Sequence, residues 1–500
     1  MRLCPAVVLV VLTGACQLRQ PNVTPPRPPR MFLTSVDAKD VDNESAPSGS
    51  TEHVTPPSET WWSAFADPLL DQSIQEAFHN NYLIRDTRGL IYENLLVPET
   101  PQGWWWPLQI GILAPAGVQH IYANLIGPPG NPLEYNATNV DLTANYQLDL
   151  FGNLAAQRSV GINLAEQQRQ LVEARVQDTA VQVAQLWFDI LQTRALRELT
   201  LQQIKYNQDL YDLVKSRFEQ HLTTRLVVLQ QEQLLLNLQS QVPLITARIA
   251  LFNSQLKLAL GRTPTPIDDL IPQDRRLPDL PPPPTIGSPA DLNKSAPELR
   301  VAKLKVEEIQ DRMSQHISSW LPTVNLTASA GISAIATHVS DFGSTTTRAD
   351  GSIDPSRSGP FYKESVVGVS LTWPIFDGRH ITEGKQLPLT LHRRELQYDL
   401  AMKTVVGRVQ DAMINETNQA TSLMNLRAQV ELGGKVLDEA RRLFEQGQSD
   451  YLPVLTALNN LVDLQRAALL AQRLLLNDRV ELYRSLGGTW SYNVTTLQER

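Results

Sequence analysis

Cysteine is nearly absent from this chain of 500 residues, and its two cysteines, Cys4 and Cys16, both sit at the extreme N-terminus. The body therefore holds no disulfide and no cysteine-ligated metal. Charge is sparse: charged residues make up 19% of the chain, the net charge is −8, and there is no basic block. The overall electrostatics suggest no nucleic-acid partner. Catalytic spacing is missing as well. The eight histidines are scattered without an HExxH or comparable ligand pattern, so no metal or other cofactor is implied and most read as surface residues. Asp341-Phe342-Gly343 imitates a kinase element but has no phosphate loop or catalytic-loop motif around it. Nothing here reads as an enzyme.

What the chain does have begins at residue 1. Arg2 gives a positive start, Ala6–Leu12 an apolar run too short to span a bilayer, and Thr13-Gly14-Ala15-Cys16 follows. Residues 1–15 read as a signal peptide. Small residues before a cysteine resemble a bacterial lipobox, which makes Cys16 the expected lipidation site; an ordinary signal peptide with an incidental cysteine is the alternative. Gln17 after it implies sorting to the outer membrane. Residues 16–59 are rich in Pro, Ser, Thr and Asn and lack apolar periodicity, the composition of a lipidated flexible tether.

The rest is duplicated. Phe218-Glu219-Gln220 recurs as Phe444-Glu445-Gln446, an offset of 226 that also pairs Gly152 with Gly378, Leu226 with Leu452 and Leu260-Gly261 with Leu486-Gly487. The expected organisation is repeat 1 at 60–261, a Pro-rich linker at 262–290, repeat 2 at 291–490 and a short tail at 491–500. Each repeat reads helix, strand, loop, strand, long helix, long helix.

A first helix is predicted from about Asp67 to Leu96, with Asp67 as N-cap and Pro68 at the first helical position. Its counterpart runs from about Ala290 to Ser318. Period-two alternation marks strands at 141–150, 323–332 and 367–373, with a weaker one at 107–114. Residues 118–138 and 333–364 read as loops between them. Alternation alone fits equally a soluble sandwich and an outer-membrane barrel. Trp104, Trp105 and Trp106, with Trp320 and Trp373, suit an interfacial aromatic girdle.

The long helices favour the barrel. Asn153 to about Phe218 has no proline, and at ~1.5 Å per residue would reach about 100 Å. Thr382 to about Gln446 matches it, although Gly384, Pro388, Gly407 and Gly433-Gly434 interrupt the pattern. The partner helices, Leu226–Leu260 and Leu452–Leu486, carry seams: Leu235, Leu238, Val242, Ile245, Ile249, Phe252, Leu256 and Ala259 in the first, and Leu461, Leu464, Ala468, Ala471, Leu475 and Leu482 in the second, with Asp478 as the breach. Val176, Ala180, Val183, Trp187 and Ile190 make a further seam. Pro243 is expected to bend its helix. Four strands cannot close a barrel, and an open edge is forbidden in lipid, so membrane-spanning strands here require several chains in one barrel.

This pattern resembles the TolC/OprM family of outer-membrane efflux proteins, in its lipoprotein, NodT-like branch. The resemblance covers about 60–490. It rests on Trp61-Trp62…Phe65…Asp67-Pro68-Leu69, Tyr146-Gln147-Leu148-Asp149-Leu150-Phe151-Gly152, Trp373-Pro374-Ile375-Phe376-Asp377-Gly378 and Leu482-Tyr483-Arg484-Ser485-Leu486-Gly487-Gly488-Thr489-Trp490, in the family's order. It implies a mainly α chain with membrane β-strands: a trimeric 12-stranded barrel, four strands per chain, continued by a long α-helical barrel. It also implies a lipid-anchored outer-membrane location with passive conduction of small molecules. The partners it implies are two further copies of the chain, membrane lipid, a periplasmic membrane-fusion adaptor and an inner-membrane pump. The hairpin turns are where such proteins constrict, which makes Arg225, Val227, Phe444, Gly447, Asp450 and Tyr451 the gate candidates. Asp450 would be an acidic ring with Arg225 as partner, or both would be solvated turn residues. The first turn has His221 where relatives carry glycine, and Phe444 replaces a tyrosine that bonds at the gate in some members; a gate held more by apolar packing than by charge is expected. The rival is a periplasmic coiled-coil adaptor or structural interaction protein. Adaptors usually carry one hairpin, whereas this chain carries two.

Overall fold

The computed structural model describes residues 60–95, 107–114, 136–264, 270–284, 286, 288–336, 346–347, 353–354 and 361–487. The signal peptide, Cys16 and the tether, Trp104–Trp106, residues 118–135 of the first loop, Asp341-Phe342-Gly343 and the tail lie outside them. The chain forms two compact units that cut across the repeats. Among the described residues, one combines Asn94–Leu164 with Val306–Arg393; the other combines 60–93, Ala165–Lys305 and 394–487.

The first unit holds the sheet. β1 (Leu108–Leu113), β2 (Asn136–Leu148) and β3 (Thr323–Ala336) are followed by a two-residue ladder of β4 (Thr346–Thr347) and β5 (Ile353–Asp354), and then by β6 (Phe361–Thr372). The main sheet has the order β1-β2-β3-β6, antiparallel throughout, so a strand of repeat 1 pairs with a strand of repeat 2 at its centre. The register stacks like with like. Leu108, Tyr146, Leu326 and Val369 form one row across all four strands, and Ile110, Ala144, Ala328 and Val367 another. Between them run polar rows such as Gln109, Asn145, Thr327 and Gly368.

The apolar face is the outer one: Ile110, Ile112, Leu142, Ile332, Val367 and Val369 are all more than half exposed. A sandwich would bury these side chains against a second sheet. Of the two readings that alternation left open, the exposed face selects the one in which lipid covers it. Two boundaries differ from expectation. β2 starts at Asn136 and stops at Leu148, and the loop expected at 333–364 loses its ends to β3 and β6.

Asp149 ends β2 early because its carboxylate caps the next helix. It accepts from Leu154 N–H at 3.1 Å and Ala155 N–H at 2.9 Å. Asp377 does the same for repeat 2 through Arg379 N–H at 2.9 Å. Trp373 Nε1 donates to the Trp320 carbonyl at 3.0 Å, so both tryptophans are held at one strand end. His316 and His380 depart from the surface expectation: their rings stack at 4.9 Å, with both side chains mostly covered.

The helices are α1 (Pro68–Asn80), α2 (Tyr82–Leu95), α3 (Asn153–Glu219), α4 (Arg225–Ala259), α5 (Leu292–Ser295), α6 (Pro297–Ser318), α7 (Gly378–Glu445) and α8 (Tyr451–Ser485). The single helices expected at 67–96 and 290–318 are each broken. Asn81 breaks the first: its Oδ1 caps Leu83 and Ile84, while its Nδ2 donates 2.7 Å to the carbonyl of Ala259, distant in sequence. Ala296 breaks the second, with extended backbone. The cause is the same in both repeats. Gly261 and Gly487 end α4 and α8 with φ of 75° and 68°. A Cβ on Gly261 would lie 2.2 Å from the Asn80 carbonyl oxygen, and one on Gly487 2.7 Å from the Ser295 carbonyl. Only glycine permits this approach.

Pro243, and Pro388 with Gly384, Gly407 and Gly433-Gly434, all lie inside continuous helices. The predicted seams are largely buried. Val176, Ala180, Val183, Trp187 and Ile190 are each at most 1% exposed, and Leu235, Leu238, Ile249, Leu256 and Ala259 are buried with them. The N-terminal motif closes this core. Trp61 stacks on Tyr483 at 5.6 Å, Phe65 meets Phe188, and Asp67 caps α1 while accepting from Trp187 Nε1 at 3.0 Å.

The linker is strapped down by its carbonyls. Arg194 Nη1 donates to Ile271 O at 2.8 Å and Pro272 O at 3.0 Å, and Arg479 donates to the carbonyls of Pro281 and Pro282. Proline removes donors from this segment but leaves acceptors, which the helices satisfy.

Candidate gate at the hairpin turns

Both hairpins turn in the helical unit, and both turns close identically. His221 N–H donates to Phe218 O at 2.9 Å and Leu222 N–H to Arg217 O at 2.8 Å; Gly447 N–H donates to Phe444 O at 3.0 Å and Gln448 N–H to Leu443 O at 2.9 Å. This paired closure of a helix end requires a left-handed residue at the first position. His221 has φ 59° and Gly447 φ 72°. The histidine adopts a conformation that costs a side-chain-bearing residue about 1 kcal/mol.

Phe444 is 6% exposed and belongs to an apolar cluster with Leu210, Val214, Val454 and Leu458, against which Val227 packs half-buried. Arg217 of repeat 1 lies over its ring, 4.1 Å from guanidinium carbon to centroid, and both Nη atoms donate to the Phe444 carbonyl at 3.3 Å. The missing hydroxyl of Phe444 is thus replaced by a bond to its backbone and a cation on its face. Tyr451 packs edge-on to Phe444 at 5.7 Å.

The Tyr451 hydroxyl starts a buried polar ladder. It donates to Gln231 Oε1; Gln231 Nε2 donates to Asn207 O at 2.9 Å and Asn207 Oδ1 at 3.0 Å; Asn207 Nδ2 donates to Gln203 O at 2.8 Å. Arg466 continues it, donating to Gln241 Oε1 at 2.8 Å and Gln203 Oε1 at 3.3 Å. Burial, and to a lesser degree the neighbouring Tyr206, pushes the Tyr451 hydroxyl up to about 12, so it remains a donor at every physiological pH. The ladder ties α3 and α4 to α8.

Arg225 and Asp450 behave differently. Both are exposed, and among the described residues no ion pair joins them. Asp450 occupies the N-cap of α8 without a side-chain capping bond, and Arg225 opens α4. Of the six predicted residues, the structure brings Val227, Phe444 and Tyr451 into one cluster, puts Gly447 in the turn beside it, and leaves Arg225 and Asp450 in solvent. Arg217, Gln231 and Asn207 were missed. The available signal was the repeat itself: the offset places them against Leu443, Ala457 and Gly433, so each is polar where its counterpart is not.

Comparisons with known proteins agree with this architecture. The sequence model of the outer membrane efflux protein family matches residues 105–262 and 289–488, one stretch in each repeat. The solvent efflux pump outer membrane protein SrpC of Pseudomonas putida is 26% identical over 440 residues, covering 85% of this chain and 87% of SrpC. The pyoverdine export outer membrane protein OpmQ of the same species is 24% identical and covers 88% of this chain and 90% of its own. The solved outer-membrane channel OprN superposes with a TM-score of 0.73 at 18% identity, covering 94% of this chain and 99% of that one. The CmeC channel of Campylobacter jejuni gives 0.74 at 15% identity, covering 95% and 96%.

Proposed function

The chain belongs to the outer membrane efflux protein family, and from that premise we propose that three copies pool their strands into one 12-stranded barrel whose helical continuation is gated at the hairpin turns. The protein is the outer-membrane channel component of an efflux system. It performs no reaction; it offers solutes a water-filled path past the lipid, and a pump supplies the energy. The observation that carries the trimer is the sheet. Among the described residues, four antiparallel strands expose an apolar face and leave β1 and β6 as free edges, and neither edge is tolerable in hydrocarbon. Pairing β1 of one copy with β6 of the next removes both. Three copies give a lumen wide enough to conduct, whereas two leave a barrel filled by side chains.

In this reading the repeats are the two halves of one protomer, Cys16 carries the lipid anchor, and a periplasmic adaptor docks on the helical end and links it to an inner-membrane pump. The resting gate is held by the Phe444 cluster and its Arg217 cover. Asp450 and Arg225 form the polar rim. One relative belongs to a solvent efflux pump and another to pyoverdine export, so substrate choice is assigned to the pump and adaptor.

Native mass spectrometry of the detergent-extracted protein is expected to show a trimer, and planar-bilayer recording a small closed-state conductance. A monomer that never conducts would overturn the assembly. Asp450→Ala should reduce cation selectivity without opening the channel; unchanged selectivity removes Asp450 from the pore rim.

A further inference from the structure

Away from the hairpin turns, the helical unit contains a cavity of about 970 Å³ between α3, α7, α8 and the inter-repeat linker. Five arginines line it: Arg194, Arg197, Arg275, Arg276 and Arg427, against two acids, Glu198 and Asp274. Arg194 has a structural task, since it holds the linker carbonyls. The other four guanidinium groups have no carboxylate within ion-pairing distance among the described residues. Elsewhere in the same unit Arg300, Arg473 and Arg479 are each paired at 2.8 Å or less.

A single unpaired surface arginine is ordinary and needs no explanation. Four that converge on one concavity in a chain of net charge −8 are a different matter, because they repel one another and, among the described residues, neither Glu198 nor Asp274 of the lining is ion-paired to them. The cavity is also built rather than incidental. Its linker wall is fixed by Arg194 and by Gln472 Nε2, which reaches Pro278 O at 3.5 Å, and Leu277 and Leu469 line it between the charges. A preformed concavity of this size, with a few convergent polar groups set among apolar side chains, is the usual form of a small-ligand site. Guanidinium is the group best shaped to hold carboxylate or phosphate through two parallel hydrogen bonds.

We propose that this cavity binds a small multivalent anion carrying carboxylate or phosphate groups, with Arg275 and Arg276 on the linker and Arg197 and Arg427 on the helices as its ligands. The site lies apart from the turns and does not depend on the gating reading.

The test is calorimetric titration of the detergent-purified full-length protein with citrate and with tripolyphosphate, at low and at physiological salt, and with acetate as the monovalent control. One saturable site per chain is expected for the multivalent anions and none for acetate. Arg275→Glu/Arg276→Glu and Arg427→Glu should each weaken binding about ten-fold or more. All three side chains are exposed, so folding should survive, and unchanged helical circular dichroism verifies this. Heats no larger than acetate gives at matched ionic strength, or affinities that the charge reversals leave intact, would overturn the site. Binding of an oligoglutamate peptide with no binding of either small anion would also overturn it, in favour of an acidic protein segment.

Discussion

The two hairpin turns share one backbone and differ in what occupies it. Both end their first helix with the same pair of hydrogen bonds, but repeat 2 puts glycine at the left-handed position and repeat 1 puts histidine. Repeat 2 then starts its second helix with Asp450 at the N-cap, whereas repeat 1 starts with Thr224 and the cation Arg225 at the positive end of the helix dipole. The polar residues diverge in a complementary way. Repeat 1 supplies Arg217, and Gln231 with Asn207 behind it; repeat 2 supplies the Phe444 carbonyl that Arg217 engages and the Tyr451 hydroxyl that Gln231 accepts. Duplication therefore fixed the frame, and asymmetry between the copies created the contacts that fasten one hairpin to the other.

The strongest asymmetry lies further along the second helix, so the largest expected effect is there. Arg479 stands where repeat 1 has Asn253. It is 1% exposed, holds Glu416 at 2.8 Å and 2.5 Å, and caps the carbonyls of Pro281 and Pro282. Arg479→Met leaves a mostly buried carboxylate and two carbonyls without donors. A loss of about 3–5 kcal/mol is expected, read as a fall in the denaturation midpoint in detergent. Asn253→Leu in repeat 1 should cost far less. Equal losses would mean that the linker strap contributes nothing.

Next comes the clip at the turns. Arg217→Ala removes the cation over Phe444 and two bonds to its carbonyl, and about 1–2 kcal/mol of stability should go with it. If the clip also restrains the gate, closed-state conductance in a planar bilayer should rise. Leu443→Ala, at the equivalent position of repeat 2, should leave conductance unchanged. A leak of the same size in both variants would show that the turn responds to any loss of packing rather than to this contact.

The turn residues themselves give a smaller and opposite-signed pair. His221→Gly should stabilise the protein by up to about 1 kcal/mol by relieving the left-handed backbone, and Gly447→Ala should destabilise it by about as much. Paired unfolding curves check this. A neutral His221→Gly would indicate that the imidazole makes a compensating contact in the assembled protein.

Much of this was legible in the sequence, and the boundary is physical. Helices α3, α4, α7 and α8 were found to within a few residues because long apolar seams, and in α3 the absence of proline, are local signals. The strand faces were found because alternation is local too. The breaks at Asn81 and Ala296 were not, because each is imposed by a glycine far away in sequence that brings backbone against backbone. At the turns, Phe444, Tyr451 and Val227 were within reach because family resemblance points to the turn. Arg217 and Gln231 were not, because Arg217 bonds to Phe444 and Gln231 to Tyr451 in the other repeat, and no spacing rule links them. Histidine could be seen to replace glycine at 221, but not that it would adopt the glycine's conformation.

The smallest effect concerns the breach in the second seam. The offset sets Asp478 against Phe252, so a carboxylate replaces an aromatic ring on the face where the helices pack. Burial raises the Asp478 carboxyl above its ordinary value, and the nearby Glu416 adds to the shift. With the folded value above the unfolded one, the folded state holds this proton more tightly. The stability that follows is complete below the unfolded value of about 3.9 and is lost as pH climbs through the folded value. At neutral pH Asp478 is therefore a net cost. Asp478→Asn should raise the denaturation midpoint slightly at pH 7, by less than about 1 kcal/mol since the side chain is half-buried, and the gain should vanish near pH 4. A gain that persists unchanged into acid would mean that the asparagine improves packing, and that the breach at Asp478 is steric rather than electrostatic.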